Sequence, residues 1–291
     1  MPELPEVETV RRSLEPHLPG RPIEEVVIRD SLVIKYPEPA GYSRLKGQQF
    51  TRLERIGKLL ILHLERDTLL VHLGMTGQLT FRDPERRDTP FVRQNHTGLQ
   101  RALQHPVDKH THVSIEFGDG TALHYRDIRK FGKWRLYPRH LVGKSPEVKR
   151  LGPDPLTEAF TPDYFRARLK ATRRPIKAAL LDQGLVAGVG NIYADEALFR
   201  AGIRPRRGAY RLSGRAADSL HEAVRAVLEA GIENGGTTLR DFVDGSGEAG
   251  YNQESLLVYG RYGQACPGCG QPLQRAVVAQ RTTTWCPQCQ S

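Results

Sequence analysis

The sequence predicts an α+β protein with more than one domain, and three observations predict it. A β-rich stretch from about Ile23 to Tyr137 follows a short opening helix. Beyond about residue 155 the hydrophobic period becomes helical. All four cysteines lie in the last 26 residues, as two C-x₂-C pairs. At 291 residues the chain is long enough for two domains of ordinary size, each with its own core.

The opening MPELPEVETV puts a proline second and a glutamate third, ahead of apolar residues at Val7, Val10, Leu14 and Leu18. That spacing predicts a helix with one buried face, stopped by Pro19-Gly20. Pro2 and Pro5 suit a first helical turn, where a missing N–H costs nothing. Pro2 is also small enough for Met1 to be removed, which would leave a free secondary amine beside the Glu3 carboxylate.

The next stretch carries short alternating or β-branched runs, VVIRDSLVI, LLILHLE, TLLVHL, HVSIEF and TALHY, with FGDGT as a hairpin turn. It predicts a sandwich or flattened barrel. Residues from about Asp83 to Lys109 show no period and are expected to form a long mobile loop. Pro138 to Pro155, with four prolines and two glycines, reads as a linker. IKAALLDQ and NIYADEALFRAGI follow as helix candidates joined by the glycine-rich LVAGVGN, and Ser213 is placed to cap a longer helix.

Lys and Arg number 43 against 33 Asp and Glu, a net charge of +10 that favours a polyanionic partner over a merely soluble basic surface. No apolar run approaches the roughly 18 residues of a membrane span, and the first 30 residues carry charges where a signal peptide is apolar. The expectation is a soluble intracellular protein without a membrane partner.

In the tail, Cys266, Cys269, Cys286 and Cys289 form C-x₂-C-x₁₆-C-x₂-C. Two such knuckles offer four thiolates to a tetrahedral zinc at zinc-ribbon spacing. A redox pair or two disulfides would be the other uses, but redox motifs rarely come as matched pairs. No catalytic acid accompanies the cysteines, so the expected cofactor is one structural Zn²⁺. It would scaffold a hairpin over GQPLQRAVVAQRTTTW, with Gln280-Arg281 near its tip.

Eight stretches taken together resemble one family. They are MPELPEVETVRR, the lysine of RIGKLLILHL, HLGMTGQL, RDIRKFG, GVGNIYADEALFRAGI, GGTTLRDF, VYGRYG and the cysteine tail. In this order they are similar to the formamidopyrimidine-DNA glycosylases, from residue 1 to 291, interrupted mainly by the loop at about 83 to 109. The resemblance implies a base-excision repair enzyme that removes oxidised purines such as 8-oxoguanine and formamidopyrimidines and then cuts the strand at the abasic site. It implies a β-sandwich catalytic domain over 1–137, a linker over 138–155, a helix-two-turn-helix DNA-binding domain over 156–262 and a zinc finger over 263–291, with duplex DNA in the cleft between lobes. A monomer that is cytoplasmic and DNA-associated is expected.

By the same resemblance Pro2 is the Schiff-base nucleophile, Glu3 the general acid/base and Lys58 a proton-transfer group in β-elimination. Arg281 becomes the δ-elimination donor and a phosphate clamp. Glu6, one turn from Glu3, either assists or serves the helix dipole as an ordinary first-turn carboxylate. Met75, Arg129 and Phe131 match the residues that fill the space left by an everted base. His72, His110, Arg173, Lys177, Asn191, Tyr259 and Arg261 are candidate contacts to the DNA backbone. Ile128 stands where the family commonly has proline and Lys130 where it has arginine. FVDGSGEAGYNQ resembles the loop that closes over an everted purine.

Two other functions compete. An endonuclease VIII-like glycosylase for oxidised pyrimidines typically has glycine at the position of Leu4. A non-catalytic zinc-containing DNA-binding protein would keep charge, zinc and wedge, but it has no use for Pro2, Glu3 and Lys58 together.

Overall fold

The computed structural model describes residues 1–84 and 107–291. Most of the predicted 83–109 loop therefore lies outside the described residues. The chain divides into two compact units, Met1–Lys149 with Asn234–Gln253, and Arg150–Glu233 with Glu254–Ser291.

In the first unit, helix α1 spans Leu4–Leu14. Glu3 is its N-cap, Pro5 lies in the first turn, and Glu3 and Glu6 cap one another reciprocally. Val7, Val10 and Leu14 are fully buried on the face that the spacing marks. Nine strands follow: β1 (Ile23–Ile28), β2 (Ile34–Tyr36), β3 (Phe50–Ile56), β4 (Leu59–Leu64), β5 (Asp67–His72), β6 (Gly77–Arg82), β7 (Thr111–Phe117), β8 (Ala122–Asp127) and β9 (Lys133–Pro138).

They form a four-stranded sheet of order β1-β7-β8-β6 and a five-stranded sheet of order β2-β9-β5-β4-β3. All pairings are antiparallel except β2 with β9. Leu60, Leu62 and Leu69 of one sheet and Val113, Ile115 and Leu123 of the other share a single core with α1. Of the two expected forms, this is the sandwich.

The start of the expected linker is folded onto this unit. Glu147, in the one-turn helix α2 (Pro146–Lys149), pairs with Arg135 at 2.8 Å and accepts from the Tyr137 hydroxyl at 3.0 Å. Residues 234–253 also pack here, a placement that the local sequence does not reveal. Gly245 N–H donates to Ser13 Oγ at 2.7 Å, and its carbonyl accepts from Phe81 N–H at 2.8 Å. A Cβ on Gly245 would fall 2.5 Å from Leu14, so this loop needs glycine to lie against α1.

The second unit holds α3 (Pro162–Lys170), α4 (Ile176–Leu180), α5 (Asn191–Arg200), α6 (Gly214–Glu233) and a hairpin of β10 (Gln274–Val278) and β11 (Arg281–Trp285). Ser213 Oγ caps α6 by accepting from Ala216 N–H at 3.2 Å. α4 is shorter than IKAALLDQ suggests because the chain turns at Asp182, whose carboxylate accepts from Gly184 N–H at 2.9 Å. α5 and α6 cross closely at Gly231, where a Cβ would meet the Tyr193 ring at 2.6 Å.

Candidate active site and nucleic-acid interface

The N-terminal segment is held from both sides of Glu6. One Glu6 oxygen accepts from Glu3 N–H at 2.8 Å and the other from Thr237 N–H at 2.8 Å. Glu6 thus ties the start of α1 to the 234–253 segment and fixes the backbone next to Pro2. Pro2, Glu3 and Glu6 are all buried.

Lys58 occupies the two-residue turn between β3 and β4, after Gly57 at a φ of +56°. A turn lysine is ordinarily solvated, yet this one is only 7% exposed. Its turn is anchored to α1: Glu8 takes Arg55 Nε at 3.0 Å, and the same guanidinium donates to Gly57 O at 3.2 Å. Glu8 also holds Arg11 and Arg12, at 2.9 and 2.8 Å. Burial works to raise the Glu8 pKa, but hydrogen bonds from Arg11 and Arg12 and the charge of Arg55 outweigh it and hold it at about 2.

His72, opposite Leu59 in the β4–β5 ladder, is a neutral ring. Burial, then the charges of Lys58, Lys133 and Arg135, push its pKa down to about 4. Nδ1 accepts from Gly74 N–H at 3.0 Å, which leaves the ring proton on Nε2 as a donor.

Met75, Arg129 and Phe131 come together although two loops supply them. The Arg129 guanidinium lies 4.6 Å from the Phe131 ring centroid, and its Nη1 lies 3.2 Å from Met75 Sδ. Both apolar members are exposed, Met75 at 38% and Phe131 at 50%. Beneath them sits Asp127, fully buried. One oxygen accepts from Thr76 Oγ1 at 2.6 Å and Arg129 N–H at 3.2 Å; the other accepts from Gly132 N–H at 2.8 Å and the Tyr125 hydroxyl at 3.1 Å. His110, half-buried, is bonded to the same place through its carbonyl, which accepts from Asp127 N–H at 2.9 Å. Lys130 has a φ of +56° and pairs with Asp30 at 2.5 Å; Ile128 is 43% exposed.

In the second unit the expected backbone contact Lys177 is fully buried, so that in this structure it presents no surface to a phosphate. Its Nζ pairs with Asp195 at 2.7 Å and donates to Thr283 Oγ1 at 2.7 Å and Thr282 O at 3.2 Å, so it fastens β11 onto α4 and α5. The lysine lies on the inner face of a short helix, and its partner is too distant in sequence for local spacing to show.

Asn191 is the first residue of α5, half-buried, with Nδ2 donating to Thr282 O at 3.0 Å. Arg173 is exposed. Tyr259 and Arg261 lie in a turn organised by Glu196, which accepts from the backbone N–H groups of Leu257, Val258 and Tyr259. Arg261 donates to Gln264 Oε1 at 2.9 Å and Leu256 O at 3.0 Å.

Arg281 is exposed at the head of β11, just past a turn of Ala279 and Gln280 with φ values of +50° and +59°. Those two residues and Lys130 are the non-glycine residues with positive φ among the described residues. Each lies within two residues of a candidate DNA contact, Arg129 and Phe131 or Arg281, where backbone strain often serves function.

The four cysteine sulfurs lie within 4.8 Å of one another. Cys266 to Cys289 is 3.8 Å and Cys269 to Cys286 is 3.5 Å, against an edge of about 3.8 Å for a tetrahedron with Zn–S bonds near 2.3 Å. Gly268 N–H points at Cys266 Sγ and Cys289 N–H at Cys286 Sγ, each at 3.4 Å, as thiolate ligands require. The donor set fits zinc.

Three family models match in chain order. The formamidopyrimidine-DNA glycosylase N-terminal domain covers residues 1–134, the H2TH domain of the same glycosylase covers 151–243, and the zinc finger found in FPG and IleRS covers 263–291. The formamidopyrimidine-DNA glycosylase of Neisseria meningitidis is 45% identical over 290 residues, and that of Geobacillus kaustophilus 44% over 292, each comparison covering the whole of both chains. The chain belongs to the formamidopyrimidine-DNA glycosylase family. Among solved structures it is similar to the Thermus thermophilus MutM (Fpg) protein, with a TM-score of 0.83 and 40% identity over 99% of this chain and 98% of that one. It is also similar to Lactococcus lactis Fpg in complex with DNA containing N7-benzyl-Fapy-dG, with a TM-score of 0.86 and 33% identity over both whole chains.

Family membership fixes the tail as a zinc finger holding one structural zinc on Cys266, Cys269, Cys286 and Cys289. No described helix is long and apolar enough to cross a membrane. For a member of this family, the residues missed from sequence are supports rather than reactants: Asp127, Glu8, Glu196 and Asp195. Asp127, two places before Arg129 in RDIRKFG, had a local signal, because a short carboxylate readily accepts the backbone N–H two residues on.

Proposed function

We propose that this chain excises oxidised purines, 8-oxoguanine and formamidopyrimidines among them, from duplex DNA through a Schiff-base intermediate, and then cleaves the abasic site by β,δ-elimination. The observation that carries the reading is the anchoring of Pro2 and Glu3 by Glu6, in a chain that shares its family's whole length. The matched relatives carry the formamidopyrimidine name, which favours this over the endonuclease VIII-like alternative.

Removal of Met1 would free the Pro2 amine. A secondary amine attacks C1′ of the damaged nucleotide, the C1′–N bond breaks, and the departing base takes a proton. Glu3 handles protons as the sugar ring opens. The resulting iminium carries no nitrogen proton to lose, so it draws electron density and acidifies C2′–H. Loss of that proton, with Lys58 as the transfer group, expels the 3′ phosphate. Proton transfer assisted by Arg281 expels the 5′ phosphate in turn. An α-amine has a pKa of about 7.7–8.0, so a useful fraction is neutral at physiological pH.

Met75, Arg129 and Phe131 are assigned to the space left by the everted nucleotide. Arg129 would offer guanidinium donors to the O2 and N3 acceptors of an orphaned cytosine. His72, His110, Arg173, Asn191, Tyr259 and Arg261 are assigned to the phosphate backbone, with His72 donating from Nε2. The zinc finger supplies rigidity to Arg281 and takes no chemical step. The protein is read as a monomer on DNA, with lobe boundaries at about 137, 155 and 262.

Borohydride trapping on a duplex containing 8-oxoguanine opposite cytosine, with peptide mass spectrometry of the adduct, tests the proposal. An adduct on Pro2 is expected. Protein that binds the duplex yet traps neither 8-oxoguanine nor a plain abasic site would leave the non-catalytic DNA-binding reading in its place.

A further inference from the structure

The second unit carries a pocket that the reaction does not use. Its volume is about 550 Å³, and Arg204, Arg206, Arg207 and Arg275 line it together with Pro205, Gln274, Ala276, Val278, Trp285 and the last residue, Ser291. The floor is apolar and firmly built: Val278 and Trp285 are buried, and Arg204 is stacked 4.4 Å over the Trp285 ring. The rim is cationic, with Arg204, Arg206 and Arg275 exposed. Among the described residues none of the four arginines is paired with an Asp or Glu. Arg206 reaches Val277 O at 3.4 Å and Arg275 lies 5.0 Å from the Tyr262 ring centroid, both uncharged partners, while Arg207 reaches an oxygen of Ser291, the last residue of the sequence, at 3.4 Å.

The pocket and the candidate phosphate contacts lie on opposite edges of the zinc hairpin. On β11, Thr282 O accepts from Lys177 and Asn191, and Thr284 N–H donates to Asp195, so that edge is spent on α4 and α5. Val277 stands opposite Thr282 in the ladder, and its outward carbonyl meets Arg206 on the other edge. The four arginines therefore surround the β10 edge, away from the Asn191 end of α5.

We propose that this pocket binds an acidic, extended segment of a partner protein, seating an apolar side chain on the Trp285 and Val278 floor and carboxylates on the arginine rim. Charge and shape select the occupant. Guanidinium groups match carboxylates in fork geometry, and among the described residues Arg204, Arg206 and Arg275 are paired with none. A duplex backbone is convex and polar along its length and leaves an apolar concavity of this size unfilled. A peptide side chain fills it, and an extended segment can also run along an open strand edge.

The test uses full-length, zinc-loaded protein and a fluorescein-labelled peptide of aspartates and glutamates around a central Phe-Leu, read by fluorescence anisotropy. The control is the same peptide with asparagine and glutamine in place of the acids. Saturable binding of the acidic peptide alone is expected, weakened roughly tenfold or more by R206E/R275E. The milder R206Q/R275Q pair should show the same direction, and zinc content and borohydride trapping on 8-oxoguanine duplex should be retained by both. Equal binding of acidic and neutral peptides, or no loss in either double variant, overturns the proposal. So does an equal loss of affinity for undamaged duplex DNA, which would make the arginines part of the DNA interface.

Discussion

Asp127 and Thr76, 51 positions apart in sequence, meet through a 2.6 Å hydrogen bond from the threonine hydroxyl to the carboxylate. That bond joins the loop carrying Met75 to the loop carrying Arg129 and Phe131, and the Thr76 oxygen in turn accepts from Arg129 N–H at 3.1 Å. The three wedge residues are thus held as one body by a buried carboxylate beneath them as well as by their own contacts.

Asp127→Asn should therefore damage base excision more than strand cleavage. One acceptor oxygen becomes a donor among donors, so the two loops lose their common support. A displacement on the order of 1 Å costs about a hundredfold in a positioned reaction. We expect excision of 8-oxoguanine from duplex to fall by roughly that factor, with a much smaller loss on a preformed abasic site, measured as single-turnover rates on the two substrates. Equal losses would assign Asp127 to the chemistry itself.

Local patterns made much of this legible. The buried face of α1, the strand runs, the Ser213 cap and the cysteine spacing all lie within a few residues of their cause. Long-range placements were not legible. Lys177 reads as one more basic residue until Asp195 and β11 enclose it, and residues 234–253 join the β-rich unit through Glu6 and Ser13, more than 200 positions away. A phosphate-binding lysine and a buried one look alike in a single sequence, because the difference lies in what packs over them.

The burial of Lys177 yields a prediction of its own. Removing one partner of a buried pair leaves an uncompensated charge, at about 3–5 kcal/mol, whereas replacing both by apolar groups is often neutral. Lys177→Met should thus destabilise the second unit strongly, and Lys177→Met with Asp195→Leu should recover most of the loss in thermal unfolding. The recovered double variant should keep the wild-type slope of log affinity against log salt, since a lost phosphate contact would lower that slope by about 1.

Glu8 sets a limit on acid stability. Its folded pKa, about 2, lies below the ordinary glutamate value of 4.5. A depressed carboxylate contributes stability that is fully present above the unfolded value and is lost as pH falls through the folded one. Protection of α1 and β3 amides from hydrogen exchange should accordingly decline between about pH 4.5 and pH 2. Glu8→Gln should be less protected at pH 7 and show a flatter profile across that window. The Lys58 turn depends on Arg55, so this variant should also slow β-elimination at a plain abasic site.

Zinc removal should separate the two units. Chelation under mild thiol modification is expected to release one zinc per chain, read with a colorimetric metal indicator, and to unfold the hairpin that carries Arg281. Duplex affinity should fall, while thermal unfolding of the sandwich, followed through the buried Trp134, should keep its midpoint. A sandwich that melts along with the finger would contradict the independence of the two cores.

The tip of the zinc hairpin stores strain that can be relieved. Ala279 and Gln280 both adopt positive φ, a conformation that costs an ordinary L-residue roughly 1–2 kcal/mol and glycine almost nothing. Two-residue hairpins with both φ values positive favour Asn-Gly for this reason. Gln280→Gly should stabilise the hairpin by about 0.5–1 kcal/mol, seen as slower zinc release to a competing chelator. Arg281 follows directly, so the same change tests whether a tense turn matters to its assigned role. If δ-elimination slows while β-elimination and zinc retention are intact or improved, the strain serves to aim Arg281. If both eliminations are unchanged, the turn serves the hairpin alone.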